Sequence, residues 1–176
     1  MAIRFSLALA ALALASQLVA EPIERSTAIE IHTIAKRMLN AIVQGNYEVS
    51  VDAMHPTLIE RNGGRDAVMQ ATLNAMDQLA TQGFTIKSYT VEQPTQAHAA
   101  KSELVVFLKT KLLIDGFDRQ VKSDGYLVAS KPYSGGRWYL FDGSVIGGLK
   151  NLQSIYEGLS DRITLPEVTN QTVSKN

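Results

Sequence analysis

Few residues in this sequence are placed to do chemistry. The three histidines, His32, His55 and His98, stand on separate segments, with no His-x-x-x-His pair and no carboxylate at metal-ligand spacing, so no metal site is expected. The absence of cysteine excludes disulfides, thiol catalysis and thiolate metal sites. Gly143-Ser144-Val145-Ile146-Gly147 has one residue too few before its serine to form a nucleophile elbow, and no phosphate-binding glycine loop occurs. The best polar candidate is Asp142. On a strand it shares a side with Leu140 and Trp138, because side chains alternate with period two. A carboxylate at the mouth of an apolar cavity can act as an acid or anchor a ligand. Asp142-Gly143-Ser144 also reads as a plain turn whose carboxylate bonds backbone amides. His55, just before Pro56, is placed to bond the last carbonyls of a helix. Met38, Met54 and Met76 recur on helical segments, where methionines either fill a core or line such a cavity. No catalytic residue is assigned, and no cofactor is implied.

The elements that must position these groups fall into two blocks. Thr27 to Gln44 has helical periodicity, with Ile31, Ile34, Ala35, Met38 and Ile42 on one stripe and a capping-box spacing at Thr27 and Glu30. A short helix follows over Tyr47–Met54, stopped at His55-Pro56. Thr57 to Arg61 reads as extended. Arg65 to Gln82 is a third helix, with Val68, Met69, Leu73, Met76 and Leu79 on its apolar face and Gly83 ending it. After Gly83 the pattern alternates, predicting strands over 84–92, 97–114, 117–130 and 137–142, with hairpin signals at Asp115-Gly116 and Ser134-Gly135-Gly136. An amphipathic segment over 146–159 and a loose polar tail over 164–176 complete the chain.

A two-residue turn at Asp115-Gly116 sets Val106 opposite Gly125 and Leu108 opposite Ser123, and a similarly tight next turn sets Leu140 opposite Ala129. One sheet face then carries Val106, Leu108, Leu127, Ala129, Trp138, Leu140 and Asp142, and suits the helices. The other mixes charges with Phe107, Tyr126, Tyr139 and Phe141. That much aromatic surface fits either a self-complementary dimer patch or an ordinary exposed sheet face.

Composition narrows the setting. In residues 1–20 all but Arg4, Ser6, Ser16 and Gln17 are apolar, in the order of a secretory signal peptide cut after Ala15 or Ala20. The whole chain is 45% apolar, and the part after Ala20 is roughly 40% apolar. The mature protein is therefore expected to be periplasmic or secreted, with no transmembrane segment of its own. The 17 basic and 17 acidic residues balance, which argues against a nucleic-acid partner.

Three helices followed by an antiparallel meander is an α+β layout, here a curved sheet with N-terminal helices on its concave face, over residues 21–163. Gln44-Gly45-Asn46-Tyr47, Met54-His55-Pro56, the Gly63-Gly64 entry to the third helix and Arg137-Trp138-Tyr139-Leu140-Phe141-Asp142-Gly143-Ser144 come in an order and spacing that resembles the NTF2-like superfamily. This cone is also called SnoaL-like or cystatin-like, and the resemblance extends to a secreted bacterial branch of uncharacterised members. Members include isomerases, dehydratases, cyclases, ligand binders and dimerisation modules, so the resemblance implies a fold rather than a reaction. Aligned on the glycine ending the first helix, Met38 and Arg61 or Asn62 occupy the places of the ketosteroid isomerase tyrosine and base, which disfavours that activity. The expectation is an exported homodimer binding a small apolar or amphipathic ligand or a partner protein. Trp138, Asp142, Met38, Met54, Met76 and His55 are its ligand candidates, and Phe107, Tyr126, Tyr139 and Phe141 its dimer candidates. The alternatives are an isomerase- or dehydratase-type enzyme using Asp142, or a dimerisation module without ligand.

Overall fold

The computed structural model describes residues 20–175, so the signal peptide expected over 1–20 lies almost wholly outside the described residues. Helices come first: α1 (Arg25–Val43), α2 (Glu48–Ala53), α3 (Pro56–Arg61) and α4 (Arg65–Thr81), after a two-residue strand β1 (Glu21–Pro22). Then follow β2 (Thr85–Val91), β3 (Gln96–Ala99), β4 (Glu103–Asp115), β5 (Arg119–Pro132), β6 (Tyr139–Asp142), α5 (Leu149–Ile155) and β7 (Thr169–Ser174). The chain is α+β, and the seven described strands form one open antiparallel sheet.

The long β4–β5 hairpin is the spine. One edge of β4 pairs with β3 near its start and with β2 along its second half. The outer edge of β5 pairs with β7 along its first half and with β6 along its second. The central register differs from expectation. Val106 faces Ala129 and Leu108 faces Leu127, because the turn sits at Phe117-Asp118, closed by the Gly116 N–H to the Arg119 carbonyl at 2.9 Å. Gly116 is not free to form the turn itself, since it lies against the Phe84 ring, where a Cβ would come within 2.5 Å. The turn moved by two residues, an even step, so every side chain kept its face. Leu140 pairs with Ala129 and Asp142 with Leu127, as expected.

Each face carries its own core. On the first, Ile31, Ala35, Met38 and Leu39 of α1 pack onto Val106, Leu108, Leu127, Ala129 and Leu140, with Trp138 at the margin. On the second, Val105, Tyr126, Val128 and Phe141 lie beneath Leu58 of α3, Leu152 of α5, and Tyr156 and Leu159 just after it. The helices therefore do not all share one face. The C-terminal segment covers the side that the sequence leaves open for a second copy.

Four local expectations are corrected. Residues 57–61 are helical, with Pro56 at the first turn, where its missing N–H costs nothing. Helix α1 starts at Arg25 after an N-cap at Glu24, so Thr27 and Glu30 lie inside it and make no capping box. The predicted strand 97–114 is two strands joined by a tight hairpin at Ala100–Ser102. The tail is not loose: β7 completes the edge of β5 that the short β6 leaves unpaired, and Lys175 ties its end to Asp115 at 2.7 Å.

Candidate functional site

The structure separates the residues that the sequence grouped together. Met38 and Trp138 are buried in the core under α1, Met54 packs at the edge of the core on the opposite face, and His55 also lies on that opposite side. Met76 stands on α4, outside both cores. Tyr126 and Phe141 are only 2% and 4% exposed within the single chain, and Phe107 and Tyr139 are half-buried. Tyr126 and Phe141 are thus covered within the single chain by α5 and the residues after it, while Phe107 and Tyr139 keep part of their surface exposed.

His55 does not close α2. It starts α3, its Nδ1 accepting the Thr57 N–H at 3.2 Å. With Nδ1 an acceptor, Nε2 carries the proton and donates to Glu103 Oε1 at 3.0 Å. The ring meets Tyr139 and Tyr156 edge-on, and Tyr156 donates to Ser130 at 3.1 Å. This cluster holds α3 and the C-terminal segment onto the sheet. His32 likewise ties two elements, its Nε2 lying 3.1 Å from the Val91 carbonyl, and His98 sits half-buried against Phe107. Among the described residues no group of three or more His, Asp or Glu is placed to hold a metal ion.

Asp142 is the expected candidate that does gather other groups around it. Its Oδ1 accepts the Ser144 N–H at 2.8 Å, capping a single 3-10 turn over Gly143–Val145, so the turn reading is correct. Its Oδ2 also accepts from the Tyr89 hydroxyl at 3.3 Å, reaching across the sheet from β2. Burial first, and then the Asp142 charge, hold the Tyr89 phenol well above its usual range, against a hydrogen bond from Thr110, so the hydroxyl stays a donor. Gly125 gives these groups room: a Cβ there would lie 2.5 Å from Ser144 Oγ and 3.5 Å from Thr110 Oγ1. Ser144 Oγ in turn accepts the Tyr126 N–H at 3.2 Å. Tyr89 was not found from the sequence, because only the β2–β4 pairing brings it onto the Asp142 face, where Thr110 was already expected.

Beyond this polar row the first face changes character. Ile86, Leu112, Ile114 and Val121 continue it toward the hairpin tip, half-exposed and in neither core. Helix α4 has its own apolar residues outside the cores. At its start Arg65 bonds Asp52 at 2.7 Å and Glu48 at 2.6 Å on α2, which itself touches β6. At its end Gly83, with φ 76°, lies against the Phe117 ring at the hairpin tip. The helix of 17 residues is about 25 Å long. The arm from the Thr110–Gly125 pair to the tip is about 23 Å, at roughly 3.3 Å per residue. α4 is thus tied to α2 at its start, Gly83 after its end meets the hairpin tip, and its contacts with other helices are with α2 and α3. Its apolar stripe of Met69, Met76 and Leu79 is half-exposed, Leu73 is 37% exposed, and none belongs to a core. Both the arm and α4 therefore carry apolar residues that belong to neither core.

In comparisons with known proteins, no family model, no curated protein and no solved structure matches this chain.

Proposed function

We propose that the mature chain is an exported NTF2-like domain that binds a small apolar or amphipathic molecule on the apolar residues of α4 and the β4–β5 arm. The observation that carries this reading is the pair of apolar surfaces, Met69, Met76 and Leu79 on the helix and Leu112, Ile114 and Val121 on the arm, that neither core uses. Contiguous apolar surface left open to water is unfavourable, and on a folded protein it marks a place where something binds. The order of helices before an antiparallel meander supports the family reading, and the apolar leader supports export. The test is a fluorescence titration of the mature protein with phenylnaphthylamine, an apolar dye that brightens out of water. Saturable binding is expected, weakened at least tenfold, about 1.4 kcal/mol, by Met76→Glu or Leu112→Glu. Absence of saturable binding, or equal binding by both variants, would contradict the reading.

A second reading has one observation in its favour. Tyr89 beside Asp142 supplies a phenol donor and a carboxylate acceptor at 3.3 Å, the parts of an acid–base pair for an isomerase- or dehydratase-type reaction. It requires that Asp142→Asn abolish a turnover found by substrate screening while the protein still binds the dye.

A further inference from the structure

We infer that a separate cleft, on the second face of the sheet, binds a small aromatic zwitterion such as an aromatic amino acid, holding its ammonium and its carboxylate at once. The cleft has a volume of about 570 Å³ and opens between the β2–β3 connection and the segment 164–167 that leads into β7. That volume lies within the range of small-molecule sites, roughly 300–1,000 Å³. Its floor is formed by His98, Phe107 and Lys109. They share a face because His98 pairs with Val105 and side chains alternate along β4. A smaller cleft of about 220 Å³ shares Lys109 with it and reaches the Lys111–Asp124 pair. Both walls are anchored. On one side the Ile23 N–H bonds the Thr95 carbonyl at 3.2 Å. On the other, Leu165 packs on the second core, and the Thr169 hydroxyl donates to Asp124 at 3.2 Å.

The charges select the ligand. Glu92, Lys109 and Glu167 all line the cleft, and none forms an ion pair among the described residues. Two residues along the same strand, Lys111 does pair with its cross-strand neighbour Asp124, at 3.3 Å. Glu92 and Lys109 are also neighbours, the Glu92 N–H bonding the Lys109 carbonyl at 2.9 Å, yet their side chains make no such pair. One cleft thus presents a free cation and two free carboxylates. A ligand with a single charge answers one sign and is repelled by the other, whereas a zwitterion answers both. The body of the ligand follows from the floor. The His98 and Phe107 rings lie 5.2 Å apart, tilted by 53°, with Leu165 and Pro166 beside them in the lining. Burial holds the His98 pKa below its ordinary value, so near neutral pH the ring is uncharged aromatic surface. An aromatic ring in the ligand gains from edge-on or offset contact with such rings.

The experiment is isothermal titration calorimetry of the mature protein with three probes. L-Phenylalanine carries both charges, 2-phenylethylamine lacks the carboxylate, and 3-phenylpropionate lacks the amine. Phenylalanine is expected to bind at least about fivefold more tightly than either analogue, a modest factor because the charged groups face water. Lys109→Met is expected to bring phenylalanine level with the amine. Glu92→Gln combined with Glu167→Gln is expected to bring it level with the carboxylate. All three side chains are exposed and free of ion pairs, so these variants keep the fold, which circular dichroism checks. Lys36→Met, on α1 over the other face, is expected to change neither preference. If phenylalanine does not bind, if either analogue matches it, or if the preferences persist in the cleft variants, the inference is overturned. Each of those results leaves the reading of the α4 and arm surfaces untouched, since that site is tested by the dye.

Discussion

At the residue scale the chain uses its polar side chains mainly to fasten elements to one another. His55 is the clearest case, because one imidazole caps α3 through Nδ1 and holds Glu103 through Nε2. Glu103 Oε2 is buried without a partner, so Glu103 depends on that single bond. His55→Ala removes the cap, worth about 1 kcal/mol, and strands a buried carboxylate at a further cost of about 1–3 kcal/mol. Urea unfolding of the mature protein should therefore show a loss of about 2–4 kcal/mol, and a loss below about 1 kcal/mol would refute this role. Glu103→Gln should cost less, since its amide oxygen can still accept the His55 Nε2 hydrogen and no buried charge is left. The pairing was not legible in the sequence, because partners 48 residues apart leave no spacing to read. The same holds for Tyr89, 53 residues from Asp142. What was legible was Asp142 itself, from its strand position and the Gly143-Ser144 that follow it.

At the element scale, periodicity served wherever an element had one wet and one buried side. The long helices α1 and α4 and the faces of the β4–β5 hairpin follow from it, and the faces survived a turn displaced by two residues because parity was preserved. Short or two-sided polar elements gave no such signal. α3 has only six residues, too few to show a helical period, although Pro56 marks its first turn. β7 is exposed along nearly its whole length, so Thr169–Ser174 carries no apolar alternation and is a strand only because an edge of β5 is open to it. Its anchor is ionic. Lys175, first by its hydrogen bond and then with help from Gln120, holds Asp115 below the usual carboxylate range. A group with a lowered folded-state pKa stabilises above its unfolded value, near 3.8 here, and that contribution is lost as pH falls through the lower folded value. Amide exchange over 169–174 should therefore be slow near about pH 6 and faster, relative to the β4–β5 core, near about pH 3. Lys175→Ala should be fast at both. Equal relative protection in wild type and variant at both values would rule out the ionic anchor.

At the scale of the whole molecule, one sheet with two apolar faces has been covered unevenly. α1 seals the middle of one face, α3 and α5 seal the other, and Ile86, Leu112, Ile114 and Val121 on the outer half of the first face join neither core. The central claim is the proposal that the apolar residues left outside both cores, on α4 and on the arm, bind a ligand. Among the described residues no helix is long and apolar enough to cross a membrane. The methionines test the claim most directly, because the chain has five and only Met1 lies outside the described residues. Met38 of α1 is buried against the sheet, Met54 borders the opposite core, and Met69 and Met76 are half-buried on α4 outside both cores. In a methyl-labelled methionine spectrum of the mature protein titrated with dodecanol, the Met69 and Met76 signals should shift with saturation while those of Met38 and Met54 stay in place. Shifts confined to Met38 or Met54, or none at saturating dodecanol, would contradict the account.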